Sequence, residues 1–328
     1  MSGLARAFRR IPWAYVARRL LVAIPTLLVI ITIAFFLMRL APGSPFSVEG
    51  RTSDKAIAAL EAQYGLDRPM HEQYFSYLSG VLQGDFGPSL KTKDKTVSEM
   101  IGEGLPISMT LGFSAMLLAM ILGSAIGIFA GLRQNTAGDY ASMGFAMIGI
   151  SIPTFVTGPI LALIVGIWLG WLPSAGLTER VTAMGVERVM TIEAMILPVI
   201  TLALPYIAII SRLMRASMIE TLRSNHIRTA RAKGLSERTV ILRHALPQAM
   251  LPLVSFIGPA TAGVVTGSLV IERVFTLPGI GSYFVQGALD RDFTLVMGVV
   301  ILFATLIILL NLLADIIYAM LDPKVRYE

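Results

Sequence analysis

Residues that could do chemistry are few in this 328-residue chain, and their spacing argues against most reactions. It has no cysteine, so no thiolate nucleophile, disulfide or cysteine metal site is available. The three histidines, His71, His226 and His244, lie far apart and form no ligand cluster. No G-x-x-x-x-G-K-[ST] phosphate loop occurs, and there is no G-x-S-x-G or H-E-x-x-H. Asp85-Phe86-Gly87 matches a kinase tripeptide by letters only, without a glycine-rich loop, strand lysine or HRD. Gly279 and Gly281 begin a G-x-G, but Phe284 stands where a third glycine is needed. No catalytic, cofactor-binding or metal-ligating residues are expected, and the chain is expected not to be an enzyme.

The informative polar stretch is RTARAKGLSERTVILRHALP, residues 228–247, a basic segment between two long apolar ones. Ser224 and Asn225 are N-cap candidates for a short helix over 226–233. Gly234 stands where a helix end needs a left-handed residue, with Leu235 as the apolar contact after it. Ser236 is placed to cap a second helix, with Glu237 in the first turn where negative charge suits the helix dipole. Pro247 ends or kinks the entry to the next apolar run. The pattern predicts a rigid elbow. A basic loop would explain the arginines alone. The glycine and the small residues Ala230 and Ala232 suit a short helix seated in the groove of a soluble partner.

The elements that must position this elbow are membrane spans. The chain is 55% hydrophobic and 15% charged, with a mean hydropathy of +0.72, where a soluble domain is about 25% charged. Uncharged runs predict six transmembrane helices near 20–38, 107–131, 143–169, 194–214, 248–271 and 295–319. Trp168 and Trp171 mark an interfacial end of the third, and Pro153 falls early in it. The first run follows Arg6, Arg9, Arg10, Arg18 and Arg19, but is too long for a signal-peptide core and lacks a small-x-small cleavage site before Arg39. It reads as an uncleaved span. With the N-terminus inside, 16 of the 27 Lys and Arg residues fall on the cytoplasmic side and 15 of the 21 Asp and Glu outside. The positive-inside rule then puts both termini in the cytoplasm, which accounts for the net charge of +6 without nucleic acid.

The organisation expected is therefore a basic cytoplasmic N-terminus over 1–19, a first helix over 20–40, an extracytoplasmic segment over 41–106, a five-helix core over 107–321 containing the 212–247 loop, and a tail over 322–328. In the extracytoplasmic segment, DKAIAALEAQYGL reads as an amphipathic helix ended by Gly65. The segment is either a folded cap or a landing site for an external partner. Glycines four apart (Gly123, Gly127 and Gly131; Gly166 and Gly170; Gly263 and Gly267) let helix backbones approach closely, within one bundle or between subunits. Asp315 is the ionisable residue placed inside a span, one turn after Asn311, near a helix end where water or a partner satisfies it. So little buried charge argues against a proton-driven pump and for an energy source in another subunit.

The 228–247 stretch resembles the EAA loop of ABC importer permeases, in which EAA is followed by three residues, Gly, nine residues, and then an apolar residue, any residue and Leu-Pro. Gly234 and His244-Ala245-Leu246-Pro247 keep that spacing. The EAA positions here read Arg228-Thr229-Ala230, and His244 replaces the usual apolar residue. RTARAKGL is similar to the peptide/nickel branch. MRLAPGSPF, QYFSYL, GDFGPS, SMIE, GSLVIERVFTLPGIG, GALDRDFTLV and DPKVRY, in that order, resemble the B-type permeases of bacterial oligopeptide importers.

The resemblance implies an all-α integral membrane protein with the six-helix type I ABC importer permease fold, in the bacterial inner membrane. It implies a second homologous permease, two cytoplasmic ATPases that bind ATP and Mg, and an extracytoplasmic peptide-binding protein as partners. Ile227, Arg228, Thr229, Ala230, Arg231, Ala232, Lys233, Gly234 and Leu235 would couple to one ATPase. The path would be lined from the third to fifth spans by Thr154, Phe155, Thr157, Thr201, Tyr206, Thr261, Thr266 and Ser268, although any of these could equally face lipid or a neighbouring helix. Oligopeptide is the expected cargo. A dipeptide, glutathione, heme or nickel within the same branch is the alternative, and a stand-alone secondary carrier is a third reading.

Overall fold

The computed structural model describes residues 13–40, 44–46, 53–92, 95–176, 178–182, 185–189 and 191–321. The expected N-terminal tail up to residue 12 and the tail over 322–328 lie outside the described residues. In chain order the helices are α1 (Trp13–Leu40), α2 (Asp54–Gln63), α3 (Met70–Leu82), α4 (Val97–Leu132), α5 (Ala137–Ser151), α6 (Thr154–Leu161), α7 (Ile192–Leu222), α8 (Asn225–Ala232), α9 (Glu237–Thr239), α10 (Leu246–Ala249), α11 (Leu251–Gly267), α12 (Leu269–Val274), α13 (Ile280–Asp290) and α14 (Phe293–Leu321). Wide π-helical turns follow α6 over Ala162–Trp168 and α9 over Val240–Ala245.

Five segments are long and apolar enough to cross a bilayer: Val16–Leu40, Val97–Leu132, Ile192–Leu222, Leu251–Val274 and Phe293–Ile317. The third expected span, 143–169, is not one straight helix. Ala137–Ser151 and Thr154–Trp168 meet at 100°. Proline disfavours helical angles in the residue before it, and Ile152 is extended at φ −107°, ψ 124°. Pro153 then sits at the N-cap of α6. A second departure is a hairpin in the 171–193 connection. Strands β1 (Thr178–Thr182) and β2 (Gly185–Val189) pair antiparallel, with Thr178 opposite Val189. Their Thr and Val content is strand-like.

The chain divides into two units. One comprises Met1–Val16, Met109–Leu277 and Leu309–Glu328. Its core is built on close backbone approach. A Cβ added at Gly123, Gly127 or Gly131 of α4 would lie 2.5–2.8 Å from Ile210, the Ser211 carbonyl or Met218 of α7. These three glycines therefore pack within the subunit. At Gly149 a Cβ would meet the Leu204 carbonyl at 2.6 Å, which seats α5 on α7. Gly258 of α11 is pressed against Ala314 of α14. By contrast, a Cβ on Gly267 would meet nothing within 4 Å, and one on Gly263 only the Tyr206 hydroxyl at 3.5 Å.

The other unit comprises Ala17–Ser108 and Pro278–Ile308. Here α2 runs as expected, capped by Ser53, whose Oγ accepts from Ala56 N at 3.3 Å, and followed by left-handed Gly65 (φ +66°). Val97, Met100, Ile101, Ile280, Leu295 and Val299 form an apolar core. Polar groups staple its loops. Ser89 donates to Asp292 at 2.5 Å, Thr294 to the Pro88 carbonyl at 2.7 Å, and Ile280 N–H to Ser108 Oγ at 2.9 Å. Tyr74 bonds Thr32 at 2.8 Å and packs edge-on against Phe35, fixing α3 to α1. Residues 53–92 thus form a folded segment.

Asp315 is not the lone acidic residue within the helical segments. Asp139, in the first turn of α5, is 1% exposed, and Glu272, in α12, is fully buried. Each lies just outside an expected span, Asp139 before 143–169 and Glu272 after 248–271.

Candidate functional site

The elbow forms from local rules and then closes on itself. Ser224 is extended (φ −71°, ψ 156°) and precedes α8, the N-cap position, but its hydroxyl makes no capping bond. It donates instead to the Thr221 carbonyl at 2.6 Å and lies 2.9 Å from His226 Nδ1. Lys233 ends the helix, and Gly234 follows at φ +77°. Its N–H returns to the Arg231 carbonyl at 2.9 Å. That left-handed angle is nearly free for glycine and strained for a residue with a Cβ. Ser236 precedes α9 and again caps with its backbone, as Val240 N–H donates to the Ser236 carbonyl at 3.0 Å.

Two further features complete the elbow. Ile227, Ala230, Val240 and Ala245 bury against one another, with Leu222 alongside. Ala230 is therefore in contact inside the subunit, and its small size lets α8 lie close to the following turn. Arg231 and Glu237 bridge the bend with a forked contact, Nη2 to Oε1 at 2.5 Å and Nε to Oε2 at 3.1 Å. This hydrogen bond holds the Glu237 carboxyl below the usual carboxylate range and raises the Arg231 guanidinium. Glu237 thus pairs with Arg231 besides lying in the first turn of α9, and a Glu six residues past an Arg across a glycine is the sequence signal of that pairing. Arg228, Thr229, Arg231, Ala232, Lys233, Gly234 and Leu235 are all exposed. Leu235, expected to pack back on the helix, is 39% exposed. The outward surface is basic with one apolar residue at its tip.

The elbow is tied to the core near its root. Arg215 of α7 donates to both carboxylate oxygens of Asp139 at 2.6 Å. Arg223 donates to Gln134 at 2.9 Å. Asp139 also accepts from Asn135 N–H at 2.9 Å. The two arginine contacts join residues 76 and 89 positions apart, beyond the reach of any local sequence pattern.

The residues named for a translocation path divide into two groups. Thr201 and Ser268 are fully buried, and Thr261 nearly so. Thr201 bonds the Leu197 carbonyl at 2.7 Å, Thr261 the Ile257 carbonyl at 2.7 Å, and Ser268 the Glu272 carboxylate at 2.6 Å. Their hydroxyls bond within their own helices, and Thr261 also lines an apolar groove between α4, α11 and α14. Thr154, Thr157, Tyr206 and Thr266 are half-buried, and Phe155 is 59% exposed. These five, on α6, α7 and α11, sit at accessible surface.

Among the described residues no group of three His, Cys, Asp or Glu side chains is placed to hold a metal.

Residues 123–327 match the family described as binding-protein-dependent transport system inner membrane component, and residues 13–112 match its N-terminal module. The oligopeptide transport system permease proteins OppB of Haemophilus influenzae and Salmonella typhimurium are each 50% identical over 313 residues, covering 95% of this chain and 99% of theirs. The dipeptide transport system permease protein DppB of Bacillus subtilis is 39% identical over 312 residues, covering 95% and 97%. In structure the chain is similar to the inward-facing MetNI methionine ABC transporter, with a TM-score of 0.53 at 17% identity over 68% of this chain and 96% of that one. An amino acid ABC transporter gives a TM-score of 0.52 at 15% identity, covering 67% and 94%. With matches spanning nearly its whole length and a bundle shared with solved importers, the chain belongs to the family of binding-protein-dependent transport system inner membrane components and has the fold of a type I ABC importer permease.

Proposed function

We propose that this chain forms, with a second homologous permease, the membrane path of an ATP-driven importer for oligopeptides. The carrying observation is the 50% identity to oligopeptide permeases over 95% of the chain, against 39% for a dipeptide permease over the same span. In this reading both termini lie in the cytoplasm, as the excess of Lys and Arg on that side supports. The exposed face of the elbow, Arg228, Thr229, Arg231, Ala232, Lys233, Gly234 and Leu235, docks on one of two cytoplasmic ATPases. Ile227 and Ala230 anchor it from behind. ATP and Mg are bound by those ATPases, and their closure moves the elbow as a rigid body, switching the bundle between two access states. An extracytoplasmic binding protein delivers the peptide. Thr154, Phe155, Thr157, Tyr206 and Thr266 line the path, and the open faces at Gly263 and Gly267 meet the second permease.

The test is uptake into proteoliposomes holding the assembled transporter and its binding protein. ATP-dependent accumulation of labelled pentaalanine, poorly inhibited by excess dialanine, is expected. The dipeptide reading is kept by the B. subtilis relative and one from Lactococcus lactis at 38% identity. It predicts the reverse order of inhibition.

A further inference from the structure

The unit formed by 17–108 and 278–308 contains a polar cavity of about 340 Å³. Its lining includes Arg39, Arg68, Glu72, Gln73, Tyr77 and Asp85. Three of these hold a buried polar atom with no hydrogen-bond partner among the described residues: Arg39 Nε, Gln73 Oε1 and Tyr77 Oη. Buried polar groups are nearly always paired, so three around one cavity ask for a cause.

Their surroundings fix what each offers. Arg39 lies over the Phe35 ring at 5.4 Å, and the Phe35 and Tyr77 rings are 6.2 Å apart, so one aromatic side chain braces both donors. Burial pushes the Tyr77 hydroxyl well above the ordinary phenol range, which keeps it a donor. Gln73 spends both amide hydrogens on the Leu66 and Arg68 carbonyls, at 3.0 and 2.7 Å, leaving its oxygen as acceptor. Asp85 accepts from Gly87 N–H at 2.8 Å through one oxygen. The cavity therefore combines two guanidinium groups, two carboxylates, a neutral donor and a neutral acceptor. A simple anion would face the carboxylates, and a simple cation the guanidinium groups.

We propose that this cavity binds a compact zwitterion, an anionic oxygen group a few bonds from a protonated amine. Arg39 and Tyr77 take the anionic end, and Gln73 with Glu72 or Asp85 takes the amine. The three unpaired atoms are covered in this conformation, so binding turns the Arg39, Gln73 and Tyr77 side chains and gives each a partner. The volume is near the lower end of ligand pockets, roughly 300–1,000 Å³, and suits an amino acid, a dipeptide or a phosphoethanolamine headgroup. The proposal does not depend on the transport reading, because none of these residues belongs to the elbow or the path.

The experiment is equilibrium binding of radiolabelled dialanine to the intact chain in nanodiscs, with thermal stability recorded in parallel. One set of discs contains phosphatidylglycerol alone, and the other adds phosphatidylethanolamine. Saturable dialanine binding, competed by alanine but not by acetate, ethylamine or N-acetylalanine amide, supports a soluble zwitterion. Stabilisation by phosphatidylethanolamine without dialanine binding supports the headgroup. In either case Arg39→Met abolishes the effect. Tyr77→Phe weakens it roughly tenfold, the loss of one charge-assisted hydrogen bond, without lowering the stability of the unliganded chain. Failure of both probes overturns the proposal. So does binding unchanged in Arg39→Met and Tyr77→Phe, or competition by acetate as strong as by alanine.

Discussion

Arg215 holds Asp139 through two parallel hydrogen bonds of 2.6 Å, joining the end of one span to the start of another across 76 residues of sequence. Asp139 is 1% exposed while the Arg215 side chain is 27% exposed, so the carboxylate is covered and its cation reaches water. Arg215→Met would leave a buried carboxylate without its cation, at a cost of about 3 kcal/mol. A clear fall in the detergent melting temperature is expected, with partial recovery in the double variant Asp139→Asn, Arg215→Met. Equal losses in the single and double variants would show that the pair contributes little.

Gly234 tests the elbow. At φ +77° a β-branched side chain is strained. Gly234→Val should leave membrane insertion intact while abolishing uptake and uncoupling ATP hydrolysis from transport. Gly234→Asn should retain much of the activity, since Asn tolerates the left-handed region. Normal uptake by the valine variant would remove the elbow from the coupling mechanism.

The bridge between Arg231 and Glu237 gives a pH signature. The arginine hydrogen bond lowers the Glu237 pKa from its ordinary 4.5. A depressed carboxylate pKa contributes stability that is complete above the unfolded value and fades as pH falls through the folded one. Both side chains are about half exposed, so solvent screens the pair and global stability should barely move. Protection of amides 231–239 against hydrogen exchange, taken relative to the intrinsic rate at each pH, should fall as pH drops below 4.5, and Glu237→Gln should lower it already at pH 7.

Much of this was legible in the sequence, and the rest was hidden for identifiable reasons. Six apolar segments, the helix ending at Gly65 and the turn at Gly234 follow from composition and local backbone chemistry. Pro153 was visible, but whether a proline kinks a span or splits it at 100° depends on the packing of both halves. The bond from Arg215 to Asp139 depends on tertiary pairing that no local pattern carries. The path residues show the same limit. Thr201 and Thr154 are both threonines in apolar helices, yet one bonds a helix carbonyl in the interior and the other sits at accessible surface. Which face of an all-apolar helix turns inward is decided by its neighbours.

The glycines offer a contrast between packing inside the subunit and packing outside it. Gly127→Leu should prevent folding, since even a Cβ there would lie 2.5 Å from the Ser211 carbonyl. Gly267→Leu meets open space and should fold normally, while weakening association with a second permease. Size-exclusion profiles of the two variants, alone and co-expressed with the second permease, would separate these effects.

Membership of an ATP-driven assembly is tested by purification of the tagged chain from native membranes in mild detergent, followed by mass spectrometry. Co-purification of a second permease and two P-loop ATPases is the predicted result. Recovery of the chain alone, monodisperse and transporting on an ion gradient, would contradict it.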